Sequence, residues 1–108
     1  MWEVRYLPEA AEELAKLPPK ERAAVENGVR KLESLGPSLG YPHSSDIRDA
    51  DNLRELRPRQ GRSPWRPLYR KYDETTYVIA AISPEAENDP RGFSCSRADA
   101  IKRLADLE

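Results

Sequence analysis

Residues 53–72 read LRELRPRQGRSPWRPLYRKY and carry the strongest charge pattern of the chain. They hold seven basic residues and a single acid, Glu55, for a net charge of about +6. The other 88 residues hold 11 basic and 18 acidic residues, so the 108-residue chain as a whole is almost neutral. A basic block therefore lies within an acidic chain, and it must face an anion of some kind.

The first half of this stretch predicts a β-strand followed by a loop. Residues 53–58 form the strand candidate, and its apolar side chains Leu53 and Leu56 have opposite parity. Both faces of the strand therefore contact apolar groups, or the strand is bulged. Residues 59–64 contain glycine, serine and proline and predict a loop.

The second half predicts another strand, residues 65–72. Trp65, Pro67 and Tyr69 alternate onto one face of it. Because proline lacks the backbone donor of a sheet ladder, Pro67 indicates an edge position or a local irregularity. Residues 75–82 are apolar on both faces and predict a central strand.

The chain before residue 53 predicts one strand and two helices. Residues 2–6 alternate as a half-buried strand does. Pro8 is suited to the first turn of a helix, and a second helix follows the Pro18–Pro19 pair and ends near Leu35. Two helices separated by such a short turn predict a helical hairpin.

The remaining segments predict mostly loops. Residues 36–51 are polar and rich in turn residues, with room for a short strand near Ile47. Residues 83–92 are again a predicted loop, and Ser96 with Asp99 approximates a capping box that begins a short terminal helix.

We therefore expect an α+β domain that spans residues 1–108. It has an antiparallel-rich sheet of about four strands, an N-terminal helical hairpin and a short C-terminal helix, with the helices on one face. A chain this short forms one domain with one modest core. No run approaches the length of a membrane span, and we expect a soluble cytoplasmic protein.

Ordinary enzyme sites find little support in the sequence. Cys95 is the only cysteine and His43 the only histidine, so we expect no disulfide, no metal site and no cofactor. His43 is predicted to be a surface loop residue and Cys95 an unreactive thiol at the start of a helix. The acid pairs Glu12–Glu13 and Glu85/Glu87 are predicted to be solvated surface.

The arginines are the remaining candidates for chemistry. Arg66 and Arg70 share one strand face, and Arg57 of the neighbouring strand can share it too. Guanidinium groups bind phosphate oxygens in a bidentate way and stabilise the charge that develops when an RNA 2′-hydroxyl attacks its own phosphate. Alternatively, these arginines pair with acids of the chain itself or of an acidic partner, and their charge alone does not separate the two interpretations.

Several motifs of the chain resemble those of one known family. They are LRELR at residues 53–57, WRPLY at residues 65–69, the opening strand with the PEAAEEL helix, and the terminal helix at residues 98–107. In this order they are similar to the RelE/ParE toxin superfamily, nearest its HigB-like, phage-derived branch.

The resemblance implies a small cytoplasmic toxin that a cognate antitoxin, of helix-turn-helix type, inhibits. Many members cleave mRNA in the ribosomal A site without a metal. On this basis Arg57 and Arg66 are the candidate catalytic residues. The candidate RNA-binding residues are Arg54, Arg59, Arg62, Arg70 and Arg91.

One segment departs from the family pattern. The HigB-like branch continues after the apolar strand with a lysine-rich segment, whereas residues 83–91 here read SPEAENDPR. Acids at this place raise the cost of bringing RNA close. Two alternatives to a ribosome-dependent nuclease therefore stay open, namely a non-catalytic module that binds an antitoxin and a ParE-type gyrase inhibitor.

Overall fold

A computed structural model, which describes residues 1–107, confirms the α+β class. The strands are β1 (Glu3–Tyr6), β2 (Ser44–Asp46), β3 (Arg54–Leu56), β4 (Trp65–Lys71) and β5 (Thr76–Pro84). The helices are α1 (Pro8–Ala15), α2 (Pro19–Leu35) and α3 (Pro90–Ala105). One mixed sheet holds five strands, one more than predicted, because the segment before residue 53 contributes β2. None of the helices within residues 1–107 has the length and apolarity needed to cross a membrane.

The sheet has the order β1-β5-β4-β3-β2, with β1 parallel to β5 and the other neighbours antiparallel. The β4–β5 ladder shifts register where Leu68 pairs with Ala81 and Tyr69 pairs with Ile79. Ala80 is therefore an extra residue in β5, and this bulge bends the strand at the centre of the sheet.

Apolar clusters lie on both faces of the sheet. The first joins α1 and α2 to the face that carries Leu56, Tyr69 and Ile79. The second joins Ala100 and Leu104 of α3 to the opposite face, which carries Leu53. The expectation that all helices lie on one face was therefore wrong. The physical reason is that β5 is buried on both faces, and each face needs a helix to exclude water.

The terminal helix is longer than predicted and has 16 residues. Its N-cap is Asp89, whose side chain accepts a hydrogen bond from the N–H of Gly92 at 2.8 Å. Ser96 and Asp99 lie inside this helix and do not cap it, and the exposed Cys95 is likewise inside it rather than at its start. An aspartate followed by proline is itself a strong helix start, which favoured Asp89 over Ser96.

Pro67 lies in β4, between β5 and β3, so the predicted edge position was wrong. Its partner in the register is Ile82, whose N–H donates to the Glu13 side chain at 2.9 Å. Arg103 of α3 completes this arrangement, since it donates to the Ala80 carbonyl at 2.8 Å and to Glu13 at 3.0 Å. Glu13 is therefore a partner of the β5 backbone and not the solvated residue that was predicted.

Candidate functional site

Arg57 and Arg66 converge on the carboxylate of Glu55. Arg57 follows β3 and Arg66 lies near the start of β4, and the antiparallel pairing of these strands brings the two side chains together. The distance from Glu55 Oε2 is 3.4 Å to Arg57 Nη1 and 3.9 Å to Arg66 Nε. The two candidate catalytic arginines are thus neighbours, and an acid of the chain lies between them.

Arg66 is almost completely enclosed, with 5% of its surface exposed. Its Nη2 donates to the Gly61 carbonyl at 3.0 Å and to Glu85 Oε2 at 2.9 Å. Its Nη1 donates to the carbonyls of Trp65 and Ser63. Burial lowers the pKa of Arg66 below its ordinary value, and the nearby carboxylates of Glu55 and Glu85 oppose that shift. A phosphate must therefore displace a carboxylate in order to reach this guanidinium.

Arg57 is more accessible, with 20% of its side chain exposed. Its guanidinium lies 5.0 Å from the centre of the Tyr41 ring, within cation–π distance, and its Nε donates to the Pro42 carbonyl at 3.2 Å. Gly61 makes this position possible, because a Cβ on Gly61 would overlap Arg57 Nη2. The φ of Gly61 is 91°, in the region that only glycine adopts readily.

The turn after β3 has an unusual backbone. Arg59 and Gln60 have φ values of 54° and 59°, in the left-handed region that non-glycine residues seldom adopt. The turn is held against α2 by Glu21, which accepts from Arg59 at 3.3 Å and from the Ser63 hydroxyl at 2.8 Å. Arg62 Nε donates to the Arg59 carbonyl at 3.2 Å. Strained turns of this kind persist where the surrounding contacts determine them.

The other candidate RNA-binding residues lie apart from this group. Arg54 is directed to the opposite face of the sheet, where its Nε donates to the Ser44 hydroxyl at 3.1 Å and where it pairs with Asp46. Arg70 lies four residues beyond Arg66 on β4, a separation of about 13 Å along the strand. Arg91 is exposed in the first turn of α3.

The structure adds three residues that the sequence did not assign to the site. Glu55 and Glu85 are the acids that neutralise Arg66, and Tyr41 is the ring against Arg57. Glu85 had been predicted to be solvated, but its side chain is only 17% exposed. The available signal was its place directly after β5, beside the start of β4, where a buried arginine needs an acid.

The charges of this surface are therefore largely compensated. Five ion pairs join arginines of residues 53–72 to acids of the chain, namely Arg54–Asp46, Arg57–Glu55, Arg59–Glu21, Arg66–Glu55 and Arg66–Glu85. Within residues 1–107, histidine, cysteine and carboxylate side chains form no cluster that could hold a metal ion. The chemistry available at the site is that of guanidinium, carboxylate and hydroxyl groups.

Comparisons with known proteins give a consistent family. Residues 12–83 match the model of the family described as "Phage derived protein Gp49-like (DUF891)". Among curated protein sequences there is no significant match.

Solved structures show the same fold. A chain of the toxin–antitoxin complex RelBE2 from Mycobacterium tuberculosis is 32% identical, with a TM-score of 0.60, over 79% of this chain and 92% of that one. A mutant of the Escherichia coli toxin RelE in the free state is 17% identical, with a TM-score of 0.69, over 95% of this chain and 97% of that one. A chain of the YoeB–YefM complex from Staphylococcus aureus is 14% identical, with a TM-score of 0.59, over 76% and 94%.

The family match covers most of the chain, and the RelBE2 match exceeds 30% identity over nearly all of its partner's length. The motifs at residues 53–57 and 65–69 build β3 and β4, which hold the arginine pair. The chain therefore belongs to the Gp49-like family of phage-derived proteins, within the RelE/ParE toxin superfamily.

Proposed function

We propose that this protein is the toxin of a type II toxin–antitoxin system and that it inhibits translation by cleaving mRNA on the ribosome. The observation that carries the proposal is the convergence of Arg57 and Arg66 on one carboxylate, that of Glu55. A carboxylate and a phosphodiester present similar oxygen pairs to guanidinium groups. The place that Glu55 fills is thus one where a scissile phosphate suits both arginines.

The reaction needs no metal on this proposal. The 2′-oxygen of the RNA attacks the adjacent phosphorus, the bond from phosphorus to the 5′-oxygen breaks, and a 2′,3′-cyclic phosphate and a 5′-hydroxyl result. Arg57, the more exposed of the pair, binds a non-bridging phosphate oxygen. Arg66 stabilises the charge that develops on the phosphorane once the phosphate has displaced the carboxylates.

The remaining candidate arginines bind flanking RNA. Arg59 and Arg62 belong to the turn beside Arg57, so they contact the nucleotides nearest the scissile phosphate. The more distant residues Arg54, Arg70 and Arg91 contact the chain further away or the ribosomal RNA. Because these contacts are ionic, binding weakens as the salt concentration rises.

A cognate antitoxin is the proposed protein partner. The RelBE2 and YoeB–YefM structures are toxin–antitoxin complexes, which supports an antitoxin for this chain as well. The proposed antitoxin is a small helix-turn-helix protein, and the other proposed partners, the ribosome and mRNA, place the protein in the cytoplasm.

Expression of the protein alone tests the proposal. We expect growth arrest with loss of amino-acid incorporation, and we expect Arg57→Ala to abolish both. Lys102→Ala, an exposed substitution on α3, serves as the control and should stay toxic. A harmless wild-type protein, or toxicity that survives Arg57→Ala, contradicts the nuclease. DNA-damage signalling with intact translation indicates instead a gyrase inhibitor.

A second function has one specific observation in its favour. The guanidinium of Arg66 already donates to Glu85 and to three backbone carbonyls, so it holds the 61–66 segment together without any ligand. A module that binds its antitoxin but cleaves nothing would keep the same contacts. Such a module leaves growth unaffected, yet it still binds the antitoxin.

A further inference from the structure

A groove of about 390 Å³ lies between α2 and the turn after β3, on the opposite side of that turn from Arg66. We refer to it as the α2 groove. Its cationic lining residues are Lys20, Lys31, Arg57, Arg59 and Arg62. Aspartate and glutamate are absent from the lining among residues 1–107. The groove is thus a concave surface of one charge, which concentrates anions more strongly than a flat surface does.

Two lysines mark the ends of the groove. Lys20 and Lys31 are eleven residues apart on the same face of α2, a separation of about 16 Å along the helix axis. Neither lysine makes an ion pair within the described part of the chain, although Lys31 Nζ lies 3.5 Å from His43 Nδ1. In contrast to the arginines around Arg66, these two charges are not neutralised by acids of the chain.

The floor of the groove is formed by small residues, with Gly28 near its centre. Glycine inside a helix destabilises it by about 1 kcal/mol relative to alanine. Packing does not require this glycine, because a Cβ on Gly28 would make only an ordinary contact of 4.0 Å with Leu56 Cδ1. What the missing side chain provides is open space above α2, wide enough for a side chain from another molecule.

The lining also indicates which class of anion fits. Single-stranded RNA is held in grooves where aromatic rings stack on its bases. Phe, Tyr and Trp are absent from the lining among residues 1–107. A volume near the lower end of the range for ligand pockets admits a few side chains at most. A peptide with carboxylates at its ends and a small aliphatic side chain between them matches the charges and the floor together.

We infer that the α2 groove binds an acidic segment of a protein partner, with carboxylates on Lys20 and Lys31 and an aliphatic side chain above Gly28. The inference rests on the proposed function in one respect, since the antitoxin is the partner that would carry this segment. It also gives the segment a regulatory effect. Arg57 lines the groove and belongs to the proposed phosphate site, so an occupant that contacts Arg57 competes with RNA.

Fluorescence anisotropy with a labelled eight-residue peptide of alternating glutamate and leucine tests the inference. The variants are Lys20→Glu/Lys31→Glu, which reverses the end charges, and Gly28→Leu, which fills the floor without changing charge. The matched control is Lys16→Glu/Lys102→Glu, two exposed lysines outside the groove with the same change in net charge. The comparison probes are the same peptide with glutamine in place of glutamate and an eight-nucleotide oligouridine.

We expect the acidic peptide to bind the full chain more tightly than the other two probes. Lys20→Glu/Lys31→Glu should weaken this binding by about tenfold or more, whereas the control pair should weaken it by about twofold. Gly28→Leu should weaken it by about threefold or more while the helix stays folded, because leucine is a better helix former than glycine. Thermal melts followed by circular dichroism verify that each variant is folded.

Four results overturn the inference. They are equal weakening by the control pair, wild-type affinity in Gly28→Leu, tighter binding of oligouridine in a manner that depends on Lys20 and Lys31, and no peptide binding up to about 1 mM. The proposed function fails separately. Growth arrest is measured in cells without any peptide or antitoxin, so a harmless wild-type protein refutes the toxin while groove binding stands.

Discussion

Arg66 Nη2 and Glu85 Oε2 lie 2.9 Å apart, with 6% and 17% of the two side chains exposed. This ion pair joins the start of β4 to the segment that follows β5, which is also the segment that departs from the family pattern. A buried charge without its partner destabilises a fold by about 3–5 kcal/mol. Glu85 therefore stabilises the folded protein and at the same time occupies an oxygen-binding position that a phosphate needs.

The first prediction concerns Glu85→Gln. Glutamine keeps an oxygen that accepts from Arg66, but it removes the negative charge that repels RNA. We expect binding of a short oligoribonucleotide to tighten by about three- to tenfold, and cleavage to rise with it. Filter binding at low salt measures the affinity, and Glu87→Gln, an exposed neighbour, is the control. Weaker or unchanged binding in Glu85→Gln contradicts the view that this acid limits the site.

The second prediction concerns Arg66→Ala. The substitution leaves the Glu85 carboxylate and the carbonyls of Gly61 and Ser63 without their donor. We expect the free energy of unfolding to fall by about 2–4 kcal/mol, measured by urea denaturation. Arg91→Ala, at an exposed site on α3, should change it by less than about 0.5 kcal/mol. If Arg66→Ala is as stable as wild type, the contacts of this guanidinium are not structural.

The third prediction concerns Gly61→Ala. The new Cβ would overlap Arg57 Nη2, and the φ of 91° is strained for alanine. We expect a loss of about 1–3 kcal/mol in stability together with loss of the growth arrest, because Arg57 is displaced. Gly40→Ala is the matched control, since a Cβ there meets nothing within 4 Å. Equal effects of the two substitutions would show that the contact with Arg57 is unimportant.

The fourth prediction concerns pH and Tyr6. Burial, with smaller contributions from Glu26 and Glu33, raises the pKa of Tyr6 from 10.0 to about 12. Between these values the unfolded chain loses the phenolic proton and the folded chain keeps it, so stability falls as pH rises through this window.

Tyr6→Phe removes that alkaline loss. We expect the wild type to lose about 1–2 kcal/mol more than the variant between pH 10 and pH 12, after allowance for the partial exposure of Tyr6. Urea denaturation at several alkaline pH values measures the difference, and Tyr72→Phe, at a position 56% exposed, should behave as wild type. Parallel loss in all three proteins contradicts a role for Tyr6.

Local pattern was sufficient to predict much of the fold. The alternation in residues 65–72 and the apolar run after it correspond to β4 and β5, and the prolines at 8 and 19 begin α1 and α2. The errors arose where a long-range contact decides. β2 is three polar residues whose strand conformation depends on pairing with β3, and Asp89 caps α3 only in the context of the following turn.

The site was predictable only in part, for a related reason. Arg57 and Arg66 were paired from strand parity, which antiparallel pairing preserves. Their acidic partners come from the same strand, Glu55, and from a segment nineteen residues after Arg66, Glu85. Charge along the sequence does not say which of the chain's 19 acids folds against which arginine.

Mapping of mRNA ends in a purified translation system tests the central claim most directly. On the account given above, the wild-type protein cuts mRNA within the ribosome and leaves 2′,3′-cyclic phosphate ends. Arg57→Ala should abolish these ends and Glu85→Gln should increase them. Intact mRNA with wild-type protein at a stoichiometric ratio to ribosomes, or cleavage that persists in Arg57→Ala, would contradict the account.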